Sequence, residues 1–107
     1  MKRVVIGILG VKLDGGTAPA RWTIWRPTVS LFQHEELLFD RLELLTEPQF
    51  HILRDQVSED VRLVSPETTV KTHQLDFGKD PWDLARVYGA LHDWARAYPF
   101  DPEREEY

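Results

Sequence analysis

The chain has 107 residues, 42% of them apolar and 29% charged, a balance that suits one globular unit with a core and not a disordered or membrane chain. Its formal net charge of -5 excludes a non-specific nucleic-acid binder, which needs surplus Lys and Arg to displace counterions from phosphates, and leaves room only for a local basic site. With no Cys there is no disulfide, cysteine zinc site or thiol nucleophile.

Met1-Lys2-Arg3 followed by Val4-Val5-Ile6-Gly7-Ile8-Leu9 has the outline of a signal peptide, but the apolar run has the length of a strand and no small-residue cleavage site follows. No window approaches the roughly 18 apolar residues of a membrane span, so a cytoplasmic location without membrane contact is expected. Residues 3–9 are continuously apolar and stop at Gly10, which predicts a central parallel strand buried on both faces. Residues 11–20, with Asp14-Gly15-Gly16 and Pro19, read as a loop leaving the carboxyl end of that strand, the edge where ligands sit in open α/β sheets. Residues 21–32 show no helical period and read as loop plus a short extended piece. Residues 37–45 alternate, with Leu38, Leu42 and Leu44 on one face and Arg41 and Glu43 on the other, which predicts a second strand.

Thr46-Glu47-Pro48-Gln49 carries a Thr cap, an early Pro and Gln at the third position, the start signal of a helix. Phe50, Leu53, Val57, Val61 and Val64 then form its apolar stripe, and Ser65-Pro66 ends it. Residues 69–75 are β-branched and polar enough for a third strand near an edge. Asp80-Pro81 marks the start of a second long helix with Leu84, Val87, Tyr88, Leu91 and Ala95 as its stripe, and Gly89 inside it points to close packing. The order predicts α/β architecture with right-handed parallel crossovers. The acidic tail 100–107 is expected to end without a further strand.

Candidate chemistry is sparse. Gly10-Val11-Lys12-Leu13-Asp14-Gly15-Gly16-Thr17 has the glycine spacing of a phosphate loop but Gly16 where the Lys belongs, so nucleotide hydrolysis is not expected. Arg21, Trp22, Trp25 and Arg26 combine rings that stack on bases with guanidinium groups that fork onto phosphates, the vocabulary of single-stranded RNA recognition. The plainer reading makes the two Trp core anchors and the two Arg solvated. The four histidines share no metal-ligand spacing, and the pair His51 and Asp55, one helical turn apart, has no nucleophile beside it. Glu35-Glu36 and Glu105-Glu106 are adjacent and diverge, so they read as solubility charges.

Five blocks bring a family into view: residues 2–10; Arg21-Trp22 with Trp25-Arg26-Pro27-Thr28-Val29-Ser30-Leu31; Asp40-Arg41-Leu42-Glu43-Leu44-Leu45; Val64-Ser65-Pro66-Glu67-Thr68-Thr69-Val70; and the stretch from Asp80-Pro81-Trp82 through Val87-Tyr88-Gly89 and Leu91-His92-Asp93 to Pro102-Glu103. In order and spacing they resemble the amino-terminus of the RtcR family of sigma-54-dependent activators. The resemblance implies a Rossmann-like CARF sensor domain, attached in the family to an AAA+ ATPase and a DNA-binding helix-turn-helix, neither of which this sequence contains. It implies that the sensor responds to damaged RNA, such as tRNA fragments with a 2′,3′-cyclic phosphate end, holds the ATPase inactive until then, and so controls genes for an RNA ligase and a terminal phosphate cyclase.

The expectation is therefore a Rossmann-like, mostly parallel α/β sheet forming the amino-terminal portion of a sensor, with no catalysis, metal or cofactor. Gly10, Lys12, Arg21, Trp25 and Arg26 are the expected RNA-binding residues, together at the carboxyl edge of the first strand. The other reading is an interaction domain that represses the ATPase without touching ligand. Because the family's sensor continues past the Glu-Glu-Tyr segment into a further strand and a ligand loop, the sheet is expected to be truncated. It would then assemble as a homodimer or higher oligomer through a free edge of the first or third strand and the last helix near Tyr88, Leu91 and Trp94.

Overall fold

The computed structural model describes residues 1–11, 14–80 and 82–107. Four parallel strands, β1 (Lys2–Ile8), β2 (Arg41–Thr46), β3 (Thr69–Gln74) and β4 (Glu105–Glu106), lie in the order β3-β2-β1-β4. The register runs from Val4 opposite Arg41 to Ile8 opposite Leu45, and from Arg41 opposite Thr69 to Thr46 opposite Gln74. Three helices, α1 (Pro27–Phe32), α2 (His51–Val64) and α3 (Leu84–Ala97), cover the sheet. This is the Rossmann-like α/β arrangement expected, with β3 at an edge as its polar composition suggested.

Strand alternation sorts the core. Leu42 and Leu44 turn to one face and pack with Val29 and Phe32 of α1 and Val57 and Val61 of α2, all buried. Phe50, Leu53 and Val64 complete the α2 stripe as its spacing predicted. Leu45 turns to the opposite face with Leu75 and Phe77, where Val87, Ala90, Leu91 and Trp94 of α3 rest on them. Arg41 and Glu43 share that second face and lie beneath α3, so both faces of β2 are covered. Leu38 is exposed ahead of the strand, because Asp40, whose carboxylate accepts the Arg3 N–H at 2.8 Å, sets the strand's start.

Several local expectations are corrected. Residues 21–32 are not loop and extended chain: a 3-10 turn spans Pro19–Thr23 and α1 follows, each with Pro in its first turn. A six-residue helix is too short to display a period in sequence, and its buried Val29 and Phe32 hold it. Thr46 does not cap α2. It is the last residue of β2, and its hydroxyl donates to the His73 carbonyl at 3.4 Å, while α2 is entered through the 3-10 turn Pro48–Phe50 with no side-chain cap. The cap of α3 is Asp83, which accepts the Arg86 N–H at 3.1 Å; Asp80 instead accepts from Trp82 N. Pro81 lies outside the described residues. The inward stripe of α3 is Val87, Ala90, Leu91 and Trp94, whereas Leu84, Tyr88 and Ala95 are exposed. Gly89 has no close packing: a Cβ there meets nothing within 4 Å.

The tail also departs from expectation. Lys2 N–H donates to the Arg104 carbonyl at 3.0 Å, and Glu105 and Glu106 pair with Lys2 and Arg3 as β4. The acidic residues read as solubility charges find cations: Glu105 lies 2.6 Å from Arg41 and Glu106 3.8 Å from Arg3. With β2 on one side and β4 on the other, β1 has no free edge at Lys2 and Arg3, but from Val4 to Ile8 it is paired with β2 alone, so both strands named for assembly, β1 and β3, keep an open edge. No helix of the described residues is long and apolar enough to cross a membrane.

Candidate functional site at the carboxyl edge of the sheet

The carboxyl ends of β1, β2 and β3 open into one cavity of about 660 Å³. Ile8, Leu9, Leu45 and Phe77 give it apolar walls, and Thr46, Glu47, Gln49 and Lys79 bring polar groups to it. A smaller depression of about 310 Å³ adjoins it, sharing Val11, Gln49 and Phe50 and adding Gly15, Gly16 and Thr17 from the glycine-rich loop. In a parallel α/β sheet this edge collects ligands, because the loops that leave the strands converge there.

Asp14 shapes the loop. Its buried carboxylate accepts the Gly10 N–H at 2.9 Å, the Thr28 N–H at 2.9 Å and the Thr28 hydroxyl at 2.7 Å. One side chain thereby ties the end of β1 to the first turn of α1 and fills the capping role that no local residue of α1 plays. Gly10 is needed at this approach, since a Cβ would fall 3.2 Å from Asp14 Oδ2. Gly16, at φ +104°, takes the left-handed backbone that glycine favours.

Behind the loop, two arginines meet on one acid. Arg21 Nε and Arg26 Nη1 lie 2.8 and 2.7 Å from Asp60 Oδ2 on α2, and Arg21 Nη2 and Gln56 Nε2 reach Oδ1 at 3.2 and 3.0 Å. Asp60 is 0% exposed and Arg26 1%. Burial alone pushes the Asp60 carboxyl up, but the hydrogen bonds from Arg21 and Arg26 outweigh it and hold the group below the usual carboxylate range. The same hydrogen bond raises the Arg21 guanidinium. The Trp22 ring lies under both cations, 5.3 Å from the Arg21 guanidinium carbon and 4.9 Å from that of Arg26. Arg21 also donates to the Thr17 and Ala18 carbonyls at 3.3 and 3.1 Å, which fixes it to the loop.

Of the five residues expected to bind ligand, Gly10 stands at the carboxyl end of β1, and Arg21 and Arg26 come together on Asp60. Trp25 is 69% exposed. Lys12 lies outside the described residues. The sequence reading missed Asp14, Gln56 and Asp60, which organise these groups. An Asp at an inward position of an otherwise apolar helical stripe, as Asp60 is beside Val57 and Val61, is the signal that could have marked the acid, though not its partners.

A second polar cluster occupies the α3 face. Glu43, 2% exposed, accepts from Arg41 Nε at 2.7 Å and the Tyr98 hydroxyl at 2.9 Å, and also meets His73 Nε2. Burial pushes the Glu43 carboxyl up, and the bonds from His73, Tyr98 and Arg41 reverse this and hold it low. Burial raises the Tyr98 hydroxyl. Arg41 bridges to Glu105 of β4, whose carboxyl that contact holds low. His73 is thus a satisfied histidine. His51 lies against the Pro48 carbonyl and Asp55 pairs with Arg54. Among the described residues no three His, Asp or Glu groups gather as a metal site.

The family model described as "Regulator of RNA terminal phosphate cyclase", RtcR, matches residues 1–107. The chain belongs to the RtcR family. It is 44% identical over 107 residues to the transcriptional regulatory protein RtcR of Escherichia coli strain K12, covering 99% of this chain and 20% of that relative. The chain thus spans about a fifth of the curated relative it matches. No solved structure matches the chain.

Proposed function

We propose that this chain is part of the ligand-sensing module of a transcriptional regulator, a non-enzymatic unit that takes the end of a damaged RNA at the carboxyl edge of its sheet and passes its occupancy to an attached AAA+ ATPase. Membership of a family of regulators, together with an open cavity at the ligand edge of a parallel sheet, supports it. The ligand chemistry follows from the regulated enzyme class in the family's description, which acts on RNA terminal phosphates. A 2′,3′-cyclic phosphate end, as on a tRNA fragment, offers one anion and one stacked base. Lys79 meets the anion, and exposed Trp25 stacks on a base. Arg21 and Arg26 act from behind, holding the loop through Asp60.

The test is titration of the chain with a short RNA ending in a 2′,3′-cyclic phosphate and the same RNA ending in a free diol. Preference for the cyclic end, weakened about tenfold by Lys79→Ala or Trp25→Ala, is the expected result, since one charge-assisted contact or one stacked base is worth about that much. Equal affinity for both ends defeats the reading. The exposed Trp82, Leu84 and Tyr88 favour a second reading, a docking domain that represses the ATPase without ligand. RNA binding absent from the chain and from the longer protein, with ATPase activity rising when the module is removed, is its signature.

A further inference from the structure

Lys79 and Glu47 line the same carboxyl-edge cavity of about 660 Å³, yet they do not pair with each other, and among the described residues neither stands in an ion pair. Lys79 arrives on the loop after β3, and Glu47 directly follows β2. Glu47 has no capping task, since α2 and the 3-10 turn before it begin without a side-chain cap. Among the described residues its one side-chain hydrogen bond comes from Gln49 Nε2 at 2.6 Å. An amide oxygen in that place would repel the carboxylate, so the bond orients the Gln49 amide. Across the cavity Ile8 and Val11, 53% and 44% exposed, leave apolar wall uncovered, and the Phe50 and Phe77 rings join them.

The side chains between Lys79 and these walls are mostly acceptors. Glu47 only accepts. Thr46 gives its hydroxyl hydrogen to the His73 carbonyl at 3.4 Å and then only accepts, while Gln49 keeps its Oε1 and one N–H. A flat, apolar ring with donors along one edge matches this lining, and a second phosphate does not, because Glu47 repels it. We propose that the cavity takes the terminal base of the RNA and selects guanine through Glu47, with Gln49 positioning the carboxylate. This rests on the reading above that an RNA end binds at this edge of the sheet.

Guanine is the base whose pairing edge sets two donors, N1–H and N2–H, side by side, and a carboxylate accepts both in parallel. In the complex Glu47 takes these two, and the remaining Nε2 hydrogen of Gln49 donates to O6. Adenine and cytosine set a ring-nitrogen lone pair beside their amine, and uracil flanks its single N–H with two carbonyls. Each of these turns an acceptor toward the carboxylate, a mismatch that leaves a polar group unpaired. Trp25 is not among the residues that line the cavity, so the base it stacks on is a neighbouring one.

Titration of the chain with four short RNAs that end in a 2′,3′-cyclic phosphate and differ only in the terminal base tests this. The guanine-ended RNA is expected to bind about tenfold tighter than the other three, the discrimination of one bidentate contact. Glu47→Gln is expected to weaken that RNA about tenfold and to bring the adenine-ended one level with it or above it, because an amide offers adenine one donor and one acceptor. An unchanged urea midpoint shows that this variant folds. Four RNAs bound within about threefold of one another overturn the guanine site, as does a guanine preference that survives Glu47→Gln. A guanine-ended RNA with a free diol separates the two readings. Equal affinity for diol and cyclic phosphate, with the guanine preference intact, defeats the terminal-phosphate reading and keeps the base site, and preference for the cyclic end without base preference does the reverse. No binding of any RNA overturns both.

Discussion

Asp60 and Glu43 are both buried carboxylates that face guanidinium groups, yet they hold different parts of the molecule and are covered differently. Asp60 sits on α2 against Arg26 at the start of α1, which is almost equally buried, and against Arg21, whose side chain is 14% exposed. Glu43 sits on the α3 face with Arg41 and His73, whose side chains are 17% and 29% exposed. Removing the acid therefore strands a fully buried cation in the first case. In the second it leaves groups that water reaches. The first cluster fixes a loop to a helix, and the second gathers β2, β3, β4 and the end of α3 onto one acid.

The largest effect follows from that difference. Asp60→Ala is expected to cost about 3–5 kcal/mol, the range for breaking a buried pair and leaving its partner uncompensated. Glu43→Gln keeps a polar acceptor near partly solvated partners and is expected to cost about 1–3 kcal/mol. Urea denaturation of both variants measures the gap, and a Glu43→Gln chain less stable than Asp60→Ala overturns the comparison. Hydrogen exchange separates the regions: Glu43→Gln is expected to speed exchange at Lys2, whose N–H pairs with Arg104 ahead of β4, and Asp60→Ala at Ser30 of α1.

Acid sharpens the same contrast. Both carboxyls are held below their unfolded values, so their stabilisation is present above those values and is lost as pH falls through the lower, folded ones. The ordinary value is 4.5 for Glu43 and 3.8 for Asp60, so the Glu43 contribution begins to fade at higher pH. Stability is expected to stay level from neutral pH to about 5 and then to fall, with exchange at Lys2 rising before that at Ser30. The reverse order, or loss of stability above pH 6, defeats this assignment.

Strand β2 and helices α2 and α3 were legible because each shows a side-chain period long enough to count, β1 because it is an unbroken apolar run, and β3 by its β-branched composition. Leu42 and Leu44 on one face of β2 and the stripe from Phe50 to Val64 needed no knowledge of their partners. Helix α1 and strand β4 were illegible for the opposite reason. Six residues hold less than two turns, and Glu105-Glu106 becomes a strand only because β1 offers an edge. The sites failed at longer range. Arg21 and Arg26 read as free cations because the acid that engages them lies 39 and 34 residues away, and no local pattern announces such a pair. The capping motif at Thr46 misled for a related reason: a matching local signal gave way to one more residue of strand pairing, Thr46 opposite Gln74.

The smallest expected effect compares the two long helices at their first turns. Helix α2 begins without a side-chain cap, and its stability comes from Val57 and Val61 buried against the sheet. Helix α3 has no fully buried residue, so the Asp83 carboxylate accepting the Arg86 N–H carries a larger share of what holds it. Asp83→Ala is expected to cost about 1 kcal/mol, the usual loss for an N-cap. Glu47→Ala, ahead of α2, is expected to stay within about 0.5 kcal/mol, as for a substitution without a capping role. Both are measured by denaturation of the dilute chain, where association plays no part. Faster exchange at the Arg86 and Val87 amides should accompany the Asp83 loss, and equal costs for the two variants would show that α3 is held by its half-buried stripe alone.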